Sequence, residues 1–218
     1  MSKQSRSPKS RPYQMRKRAD QVAQTHQRII DAAVNMHGTI GPAATTIAGI
    51  AQEAGVTRLT VYRHFADEAA IFAACSAHWL AKQVPPDPSA WALLDDPVER
   101  LEAGLSDIYR FYRAGVDMLT NIYRDVDSMP HQRRDAIRQR DGRFQDVMLE
   151  PFDVTKARRR QLSAVLGHAV TFSTWQSLCV VNGLSDREAC TAMTAMVVAV
   201  AGASERKGGT QDARRGRI

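Results

Sequence analysis

Apolar or small side chains along most of the chain recur at the three- and four-residue spacing of an α-helix. The first such stripe ends before a helix-breaking segment at residues 38–42 and consists of Val22, His26, Ile29, Ile30, Ala33 and Met36. Similar patterns predict helices over residues 68–83, 97–113, 115–127, 131–149, 155–182 and 186–202. Because no segment alternates with the period of a β-strand, the chain is predicted to be all-α.

Two short helices follow the first one and are separated by a glycine-containing turn. Thr46 can cap the first of them, which ends at Gly55 and whose apolar face is Ile47, Ile50, Ala51 and Ala54. Thr57 can cap the second, which lies within the nine residues TRLTVYRHF at 57–65. A helix, a tight turn and a second helix form a helix-turn-helix, and the preceding helix completes a three-helix N-terminal module.

The second short helix carries more hydrogen-bond donors than its own packing requires. Val61 and Phe65, four residues apart, can pack it against the first short helix. The remaining face of this helix can then enter a major groove of DNA, which is wide enough for one α-helix. This face consists of Arg58, Leu59, Thr60 and Arg63. Arginine can bond a guanine edge twice and threonine can contact thymine, whereas leucine offers only apolar contact. The pattern indicates a DNA-binding helix.

The net charge of +7 is concentrated at the two ends of the chain. Residues 1–18 contain seven basic and no acidic side chains, and residues 203–218 contain five basic and two acidic ones. We expect a disordered basic tail at residues 1–16 and a second basic tail at residues 204–218. Such tails are either solvated or bind a polyanion, and the first leads directly into the helix-turn-helix module.

The sequence argues against several other classes of protein. Cys75, Cys179 and Cys190 are isolated in apolar surroundings, so we expect no disulfide, no metal site and no cofactor. Without a glycine-rich phosphate loop or an HExxH, CxxC or GxSxG motif, an enzyme is not expected, and the charged helix at 132–146 is interpreted as a solvated face. The polar, basic start and the lack of a long apolar run favour a cytoplasmic protein.

The residues around the helix-turn-helix resemble the TetR (tetracycline-repressor-like) family of bacterial transcriptional regulators. The similarity is carried by TTIAGIAQEAGVTRLTVYRHFADEAAIF at 45–72, preceded by RIIDAAVNMHG. The family pattern has a threonine cap, Ile-Ala, Ala-Gly-Val, a serine or threonine, Thr-Val-Tyr and His-Phe in this order and spacing. The resemblance covers about a quarter of the chain, with a weaker similarity at 174–189. It implies a helix-turn-helix domain followed by a C-terminal helical bundle for effector binding and dimerisation.

The resemblance also implies roles for single side chains in DNA binding. Thr46, Tyr62 and His64 would contact phosphates, while the residues already named on the second short helix would face base edges. The basic residues after the N-terminal tail could add contacts in the minor groove, as other N-terminal arms do. The residues predicted to bind DNA are Thr46, Thr57, Arg58, Leu59, Thr60, Tyr62, Arg63, His64, Lys17 and Arg18.

The sequence departs from the family pattern in two respects. Glu68 lies where many members have a lysine that meets a phosphate, and its negative charge would repel one. Ala48 and Gly49, on the helix before the turn, have no polar side chain with which to read a base. Both departures reduce the set of DNA contacts that the resemblance implies.

Tight binding to a symmetric operator requires two copies of such a module. The last two predicted helices have apolar stripes that could form a four-helix bundle between subunits, as the resemblance also implies. The same stripes could instead serve only the core of their own subunit. The residues predicted to form the dimer interface are Leu162, Leu166, Ala169, Phe172, Cys179, Met193, Val197 and Val200.

Polar and aromatic side chains interrupt the apolar stripes of the C-terminal helices. Such residues orient a small effector in an apolar cavity, although they also occur paired inside ordinary helical bundles. The candidate effector-binding residues are Tyr109, Tyr112, Tyr123, His168, Thr171 and Trp175. An effector that favours a different subunit arrangement would weaken DNA binding, with the helix beginning near residue 68 as the lever.

These observations predict a DNA-binding domain at residues 17–66 and an effector-binding and dimerisation domain at residues 67–203. The expected function is sequence-specific transcriptional regulation by a homodimeric repressor that a small-molecule effector releases from palindromic double-stranded DNA. The alternative is a non-specific nucleoid or architectural protein that binds DNA through its basic tails. In that case all DNA would compete equally, and deletion of residues 1–16 would abolish binding.

Overall fold

The computed structural model describes residues 10–202, and its regular elements in that range are all helical. The helices are α1 (Ser10–Thr39), α2 (Ile47–Glu53), α3 (Arg58–His64), α4 (Glu68–Leu80), α5 (Pro88–Trp91), α6 (Pro97–Ala114), α7 (Val116–Arg124), α8 (His131–Leu149), α9 (Lys156–Ala169), α10 (Phe172–Trp175) and α11 (Asp186–Gly202). Short 3₁₀ turns occupy Pro42–Ala44 and Val126–Ser128, and a π-helical segment, Gln176–Val181, continues α10. The predicted all-α class is confirmed.

The starts of α2, α3 and α4 are set by side-chain caps. The Thr46 hydroxyl accepts a hydrogen bond from the Gly49 amide at 3.0 Å, and the Thr57 hydroxyl accepts one from the Thr60 amide at 3.2 Å. Between α2 and α3, Gly55 has a φ of 63°, a left-handed conformation that costs little only for glycine. This turn sets the angle between the two helices of the helix-turn-helix.

One small core holds the N-terminal module together. It is formed by buried residues of α1 to α4, namely Ile29, Ile30, Ala32, Ala33, Ile47, Ile50, Ala51, Ala54, Val61, Phe65, Ile71 and Cys75. Val61 of α3 is completely buried and Phe65 is nearly so, and each such side chain contributes roughly 1.5 to 3 kcal/mol of burial free energy. The predicted packing of α3 through these two residues is confirmed.

A second, larger core lies among α6, α8, α9, α10 and α11. Its centre contains completely buried side chains such as Leu101, Leu105 and Ile108 of α6 and Leu166 of α9. At its C-terminal end α4 packs against this core through Trp79 and Leu80, whereas its middle belongs to the small core. The helix α4 is therefore shared by the two parts of the molecule.

The first helix begins earlier than the sequence suggested. Residues 10–16, predicted to be part of a disordered tail, form the first two turns of α1. Pro12 is tolerated because it lies in the first turn, where a backbone N–H would have no intrahelical acceptor. Several of the other residues favour helices. Residues 1–9 and 203–218, which include the rest of that tail and the predicted C-terminal tail, lie outside the described residues.

The helix predicted over residues 155–182 is broken, and its two halves meet at 63°. After α9 the Thr171 hydroxyl accepts a hydrogen bond from the Thr174 amide and starts α10 as a new cap. The Thr171 and Thr174 hydroxyls both donate to the carbonyl oxygen of His168, at 2.9 and 2.7 Å. Side chains that bond nearby backbone groups compete with helix continuation, which explains the break.

The end of α7 holds the loop between α1 and α2. The Asn121 amide donates to the Gly38 carbonyl at 2.7 Å, and the Arg124 guanidinium donates to the Ile40 carbonyl at 2.9 Å. The Ala43 amide donates to the Asp125 carboxylate at 3.1 Å, and Arg124 and Asp125 form an ion pair at 2.8 Å. We call these contacts the α7 clamp. They connect the large helical region to the start of the helix-turn-helix.

We expect Gly41→Ala to destabilise the protein by about 1 to 3 kcal/mol, because Gly41 has a φ of 88° and an added Cβ would overlap the Arg124 and Asp125 side chains. Gly142→Ala is the matched control, since Gly142 lies within α8 and a Cβ added there meets nothing within 4 Å, and it should stabilise by about 0.5 to 1 kcal/mol. Urea unfolding measures both. Equal effects of the two substitutions would contradict the clamp geometry.

Candidate DNA-binding face and ligand cavity

The outward face of α3 combines two cations, an aromatic ring and one aliphatic side chain. Arg58, Leu59, Tyr62 and Arg63 are all exposed, Leu59 by 61% and Tyr62 by 48% of their surface. Their spacing of one, four and five residues places them on one side of the helix, about 140° wide. Val61 faces the opposite side and anchors α3 to the small core. The sequence-predicted groove residues are thus brought together, with Thr60 at the edge.

The two threonines of α3 are engaged with each other. The Thr57 and Thr60 hydroxyls lie 2.9 Å apart, and Thr60 is only partly exposed. Thr57 also caps the helix, so its hydroxyl has a structural role. Thr46 has the same capping role at α2 and is exposed. Each of these hydroxyls is near the surface. A hydroxyl that contacted DNA would also keep its hydrogen bond to a helix amide or to the neighbouring threonine.

His64 lies at the inner edge of α3. It is partly buried, and its ring centroid is 5.7 Å from that of His26 on α1, whose ring in turn stacks on Phe65 at 4.5 Å. Burial, and then the charge of His26, lower the pKa of His64. At neutral pH His64 is therefore mostly uncharged and would bind a phosphate as a hydrogen-bond donor rather than as a cation.

Lys17 and Arg18 project from an exposed part of α1. Every residue from 13 to 24 is exposed, so this half of α1 extends beyond the small core. The two residues lie on a helix and not on an extended arm, and their contact with DNA remains a prediction. About 13 Å of helix separates Lys17 from His26, at 1.5 Å per residue. Glu68 is exposed in the first turn of α4.

A cavity that is partly open to solvent lies between α1, α4, α6, α7 and α8. Most of its lining is apolar or aromatic, and the polar groups are few. The lining residues are Val34, His37, Phe72, Cys75, Ser76, Trp79, Leu80, Phe111, Met118, Leu119, Ile122, Tyr123, Met129, Arg133, Ile137 and Arg140. Apolar clefts with a few polar groups are typical of small-molecule sites.

The polar groups of the cavity are unequally satisfied. His37 Nδ1 lies 3.3 Å from Cys75 Sγ, and burial lowers the pKa of His37 to about 4. Arg140 donates to the Tyr123 hydroxyl at 2.7 Å and to the Asp141 carboxylate at 2.6 Å. Arg133, half-buried, forms no salt bridge among the described residues.

Of the six candidate effector residues, only Tyr123 lines this cavity. Tyr109 and Tyr112 are completely buried in the large core and donate to the carbonyls of Ala169 and Val170, at 2.9 and 2.7 Å. The Trp175 indole donates to Asp186 at 2.9 Å, which fixes the start of α11. The remaining two candidates, His168 and Thr171, belong to the break between α9 and α10. For the three buried aromatic residues the prediction is corrected to a structural role, the Thr171 hydroxyl caps α10, and the exposed His168 side chain lies outside this cavity.

Sequence reasoning missed most of the lining, including the two arginines of α8. Charged residues dominate the segment 132–146, which is why the sequence favours a solvated face there. In the structure Arg133, Ile137, Arg140 and Phe144 turn inwards, at spacings of four, three and four residues. That spacing was a detectable signal, although arginines alternating with acids usually favour solvent exposure.

The residues predicted to form the dimer interface are instead used within the subunit. Seven of the eight are buried in its own large core, and Val200 packs against that core. A side chain that is buried within its own subunit cannot make the contact with a second one. These seven residues therefore belong to the core of their own subunit, whereas Val200 is partly exposed and its place in an interface remains a prediction. The outward faces of α9 and α11 carry different side chains.

Other site types receive no support from the described part of the chain. Cys75, Cys179 and Cys190 are free and buried. Within residues 10–202 there is no cluster of three or more histidine, cysteine or acidic residues suited to a metal ion. Within the same residues, no single helix is long and apolar enough to span a membrane. The bent pair formed by α9 and Phe172–Val181 has the length and composition of a membrane span, and nothing else indicates one.

These features define a helix-turn-helix protein with an attached helical bundle. The family model for bacterial regulatory proteins of the tetR family matches residues 29–75, which include the whole of α2 and α3. Residues 29–75 therefore match the N-terminal domain of the tetR family, and the resemblance noted in the sequence is confirmed for this region.

Single proteins are similar to the chain in part of their sequence or in their fold. The chain is 37% identical over 57 residues to the HTH-type transcriptional regulator AcrR of Shigella flexneri, a match that covers 26% of each protein. It therefore spans about a quarter of the length of this curated relative. A proposed fatty acid metabolism regulator from Clostridium perfringens has a similar fold, with a TM-score of 0.53 and 18% identity over 78% of this chain and 96% of that one.

A second solved structure, a TetR transcriptional regulator from Rhodococcus sp. RHA1, has a TM-score of 0.41 and 18% identity over 83% of this chain and 99% of that one.

We expect acid to destabilise the protein through His37. Its pKa is about 4 when folded and 6.5 when unfolded, so its contribution is complete above about pH 6.5 and disappears as the pH falls towards 4. The loss should reach about 2 to 3 kcal/mol at pH 4.5. Urea unfolding at pH 7 and 4.5 should show a smaller pH effect for His37→Gln than for the parent. The exposed-site control His131→Gln should behave like the parent; an unchanged pH effect in His37→Gln would contradict this assignment.

Proposed function

We propose that this chain is a sequence-specific DNA-binding transcriptional regulator that inserts α3 into the major groove. The observation that carries the proposal is the outward face of α3, where Arg58, Leu59, Tyr62 and Arg63 are exposed while Val61 is buried beneath them. The family match over this same region supports it. The protein has a regulatory role without catalysis and acts at the chromosome, in the cytoplasm.

In this proposal the two arginines of α3 read the DNA. Arg58 is at the start of the helix, where residues of a recognition helix reach base edges, and arginine can bond guanine O6 and N7 together. Arg63 extends the same face by more than one turn. Tyr62 and Thr46 bond phosphates, and Thr57 and Thr60 support the start of α3 while presenting their hydroxyls. Leu59 offers an apolar contact.

The charge on either side of α3 modulates affinity. Lys17 and Arg18, on the exposed half of α1, attract phosphates and make binding salt-dependent. Glu68, exposed at the start of α4, would repel a phosphate that approaches this end of the module. His64 contributes mainly as a neutral hydrogen-bond donor because its pKa is lowered. Specificity therefore depends on α3, whereas the surrounding charges set overall affinity.

The regulator acts as a homodimer through the outward faces of α9 and α11. On α11 this face contains small and apolar exposed residues, namely Ala192, Ala195, Met196, Val198 and Ala199. On α9 it contains Ala157, Gln161, Ala164 and His168, spaced by four, three and four residues. Because α9 and α11 pack side by side, the two faces form one surface on which a second copy can build a four-helix bundle. Two α3 helices then match a palindromic operator.

An effector in the cavity can change DNA binding through α7. Ile122 and Tyr123 line the cavity, and the next two residues, Arg124 and Asp125, form the α7 clamp on the loop before α2. Displacement of α7 by a ligand therefore moves the start of the helix-turn-helix. The shared helix α4, which also lines the cavity, transmits the same change. We propose that the protein represses its target and is released by the effector.

Selection of bound fragments from genomic DNA tests the DNA-binding proposal most directly. A regulator should enrich a palindrome whose half-sites are about one helical turn, or a multiple, apart. Deletion of residues 1–16 should preserve that preference and make the dependence of affinity on salt shallower. Enrichment of no sequence, with loss of all binding after the deletion, would support the nucleoid protein instead.

We expect Arg58→Ala to weaken binding to the selected palindrome by about 1 to 3 kcal/mol, because it removes a bidentate contact with a base edge. Binding to unrelated DNA should change much less. Fluorescence anisotropy with a labelled duplex measures both. The control is Arg138→Ala, an exposed arginine of α8 that is remote from α3. If Arg58→Ala and the control bind the palindrome equally well, Arg58 is not a reading residue.

We expect Ala195→Arg to convert the dimer to a monomer, because an arginine would have to be buried, unpaired, where helices of two subunits meet. Light scattering after size-exclusion chromatography measures the mass. Affinity for a palindrome should fall by at least tenfold, towards that of a single half-site. Ala114→Arg, at the exposed end of α6, is the control and should remain dimeric. A dimeric Ala195→Arg protein would exclude this face as the interface.

A further inference from the structure

We propose that the cavity binds an amphipathic organic anion, whose carboxylate pairs with Arg133 and whose apolar body fills the space between α4, α6 and α7. This inference rests on the proposed function only in treating the cavity as the effector site. It goes further by naming the chemical class of the effector. Within the described residues it follows from a cation without a salt bridge, a lining without acids and a mainly apolar wall.

Arg133 is a cation of the cavity that no described acid neutralises. It lies on the first turn of α8, is half-buried and faces the cavity with Ile137 and Arg140, four and seven residues further along. No acid within residues 10–202 forms a salt bridge with it. Burial and the neighbouring charge of Arg140 lower the pKa of Arg133, although an arginine remains charged at neutral pH. A half-buried guanidinium is stabilised most by a carboxylate, which it can bind through two parallel hydrogen bonds.

The second arginine already has partners. Arg140 donates to Asp141 through two nitrogens, at 2.6 and 2.8 Å, and to the Tyr123 hydroxyl at 2.7 Å. Its charge is therefore largely balanced by Asp141, which does not itself line the cavity. Arg140 orients the Tyr123 hydroxyl, so that this hydroxyl can donate its own proton to an incoming anion. Arg133 and Tyr123 thus provide two donors for one head group.

The rest of the lining disfavours a cationic effector. None of the described residues that line the cavity is an aspartate or glutamate, and His37 is neutral because burial lowers its pKa to about 4. The walls opposite the arginines are formed by apolar and aromatic groups, chiefly Phe72, Trp79, Phe111, Leu119 and Ile122. An anion with an apolar body satisfies Arg133 and buries its own hydrocarbon surface at once.

Isothermal titration calorimetry on the full chain, without DNA, tests the head-group preference. The probes are two matched series: decanoate, decanamide and decylamine, and 2-naphthoate, 2-naphthamide and 2-naphthylmethylamine. In at least one series the carboxylate should bind at least tenfold more tightly than the amide and the amine. A carboxylate that binds no more tightly than its amide in both series, or no binding by either carboxylate, would overturn the proposal.

Three variants locate the preference. Arg133→Gln should reduce carboxylate affinity at least tenfold and leave amide affinity within about threefold, whereas Arg133→Lys, which keeps the charge, should retain much of the preference. Arg138→Gln, on the exposed side of α8, should match the parent. Circular dichroism verifies that each variant is folded. An undiminished preference in folded Arg133→Gln would refute the assignment of Arg133.

DNA binding is measured separately on the same proteins. Failure to enrich any DNA sequence would remove the proposed function but leave the calorimetric result valid. Sequence-specific DNA binding combined with no preference for carboxylates would instead remove only the effector class.

Discussion

The burial of Val61 and Phe65 against α1 and α2 is the interaction on which the arrangement of the N-terminal module depends. With Val61 completely buried, α3 has only one rotational position, and its two arginines must face outwards. The caps at Thr46 and Thr57 and the left-handed turn at Gly55 set where each helix begins and the angle between them. Local hydrogen bonds thus position α3, and apolar burial holds it there.

The two cores of the molecule are mechanically connected rather than merely adjacent. The helix α4 contributes side chains to both, and the α7 clamp holds the loop that leads into α2. The candidate ligand cavity lies between these two connections, so its walls include the helices that orient the N-terminal module. In the proposed function this shared construction explains how a small molecule can change DNA affinity without touching α3.

Charge has opposite uses at the two sites. On α3 and on the exposed half of α1, arginines and lysines remain in solvent, where they can meet phosphates and base edges. On α8, Arg133 and Arg140 turn inwards, and of these two only Arg140 has a carboxylate partner among the described residues. An arginine in solvent has little desolvation cost and attracts anions at long range. A partly buried arginine loses hydration and is stabilised only by a specific partner. The partly buried arginines of α8 therefore indicate a specific ligand, whereas the solvated arginines of α3 suit a polyanion.

The sequence by itself determined the helical class, the caps, the helix-turn-helix and the exposed residues of α3, because caps, turns and helical periodicity act between residues close together in the chain. The tertiary structure decided what the large helical region does with its side chains. Leu162, Phe172 and Val197 proved to be core rather than interface, and Tyr109 and Tyr112 proved to support the backbone after α9. An apolar stripe is the same whether it meets its own subunit or another, and only the positions of distant helices distinguish the two.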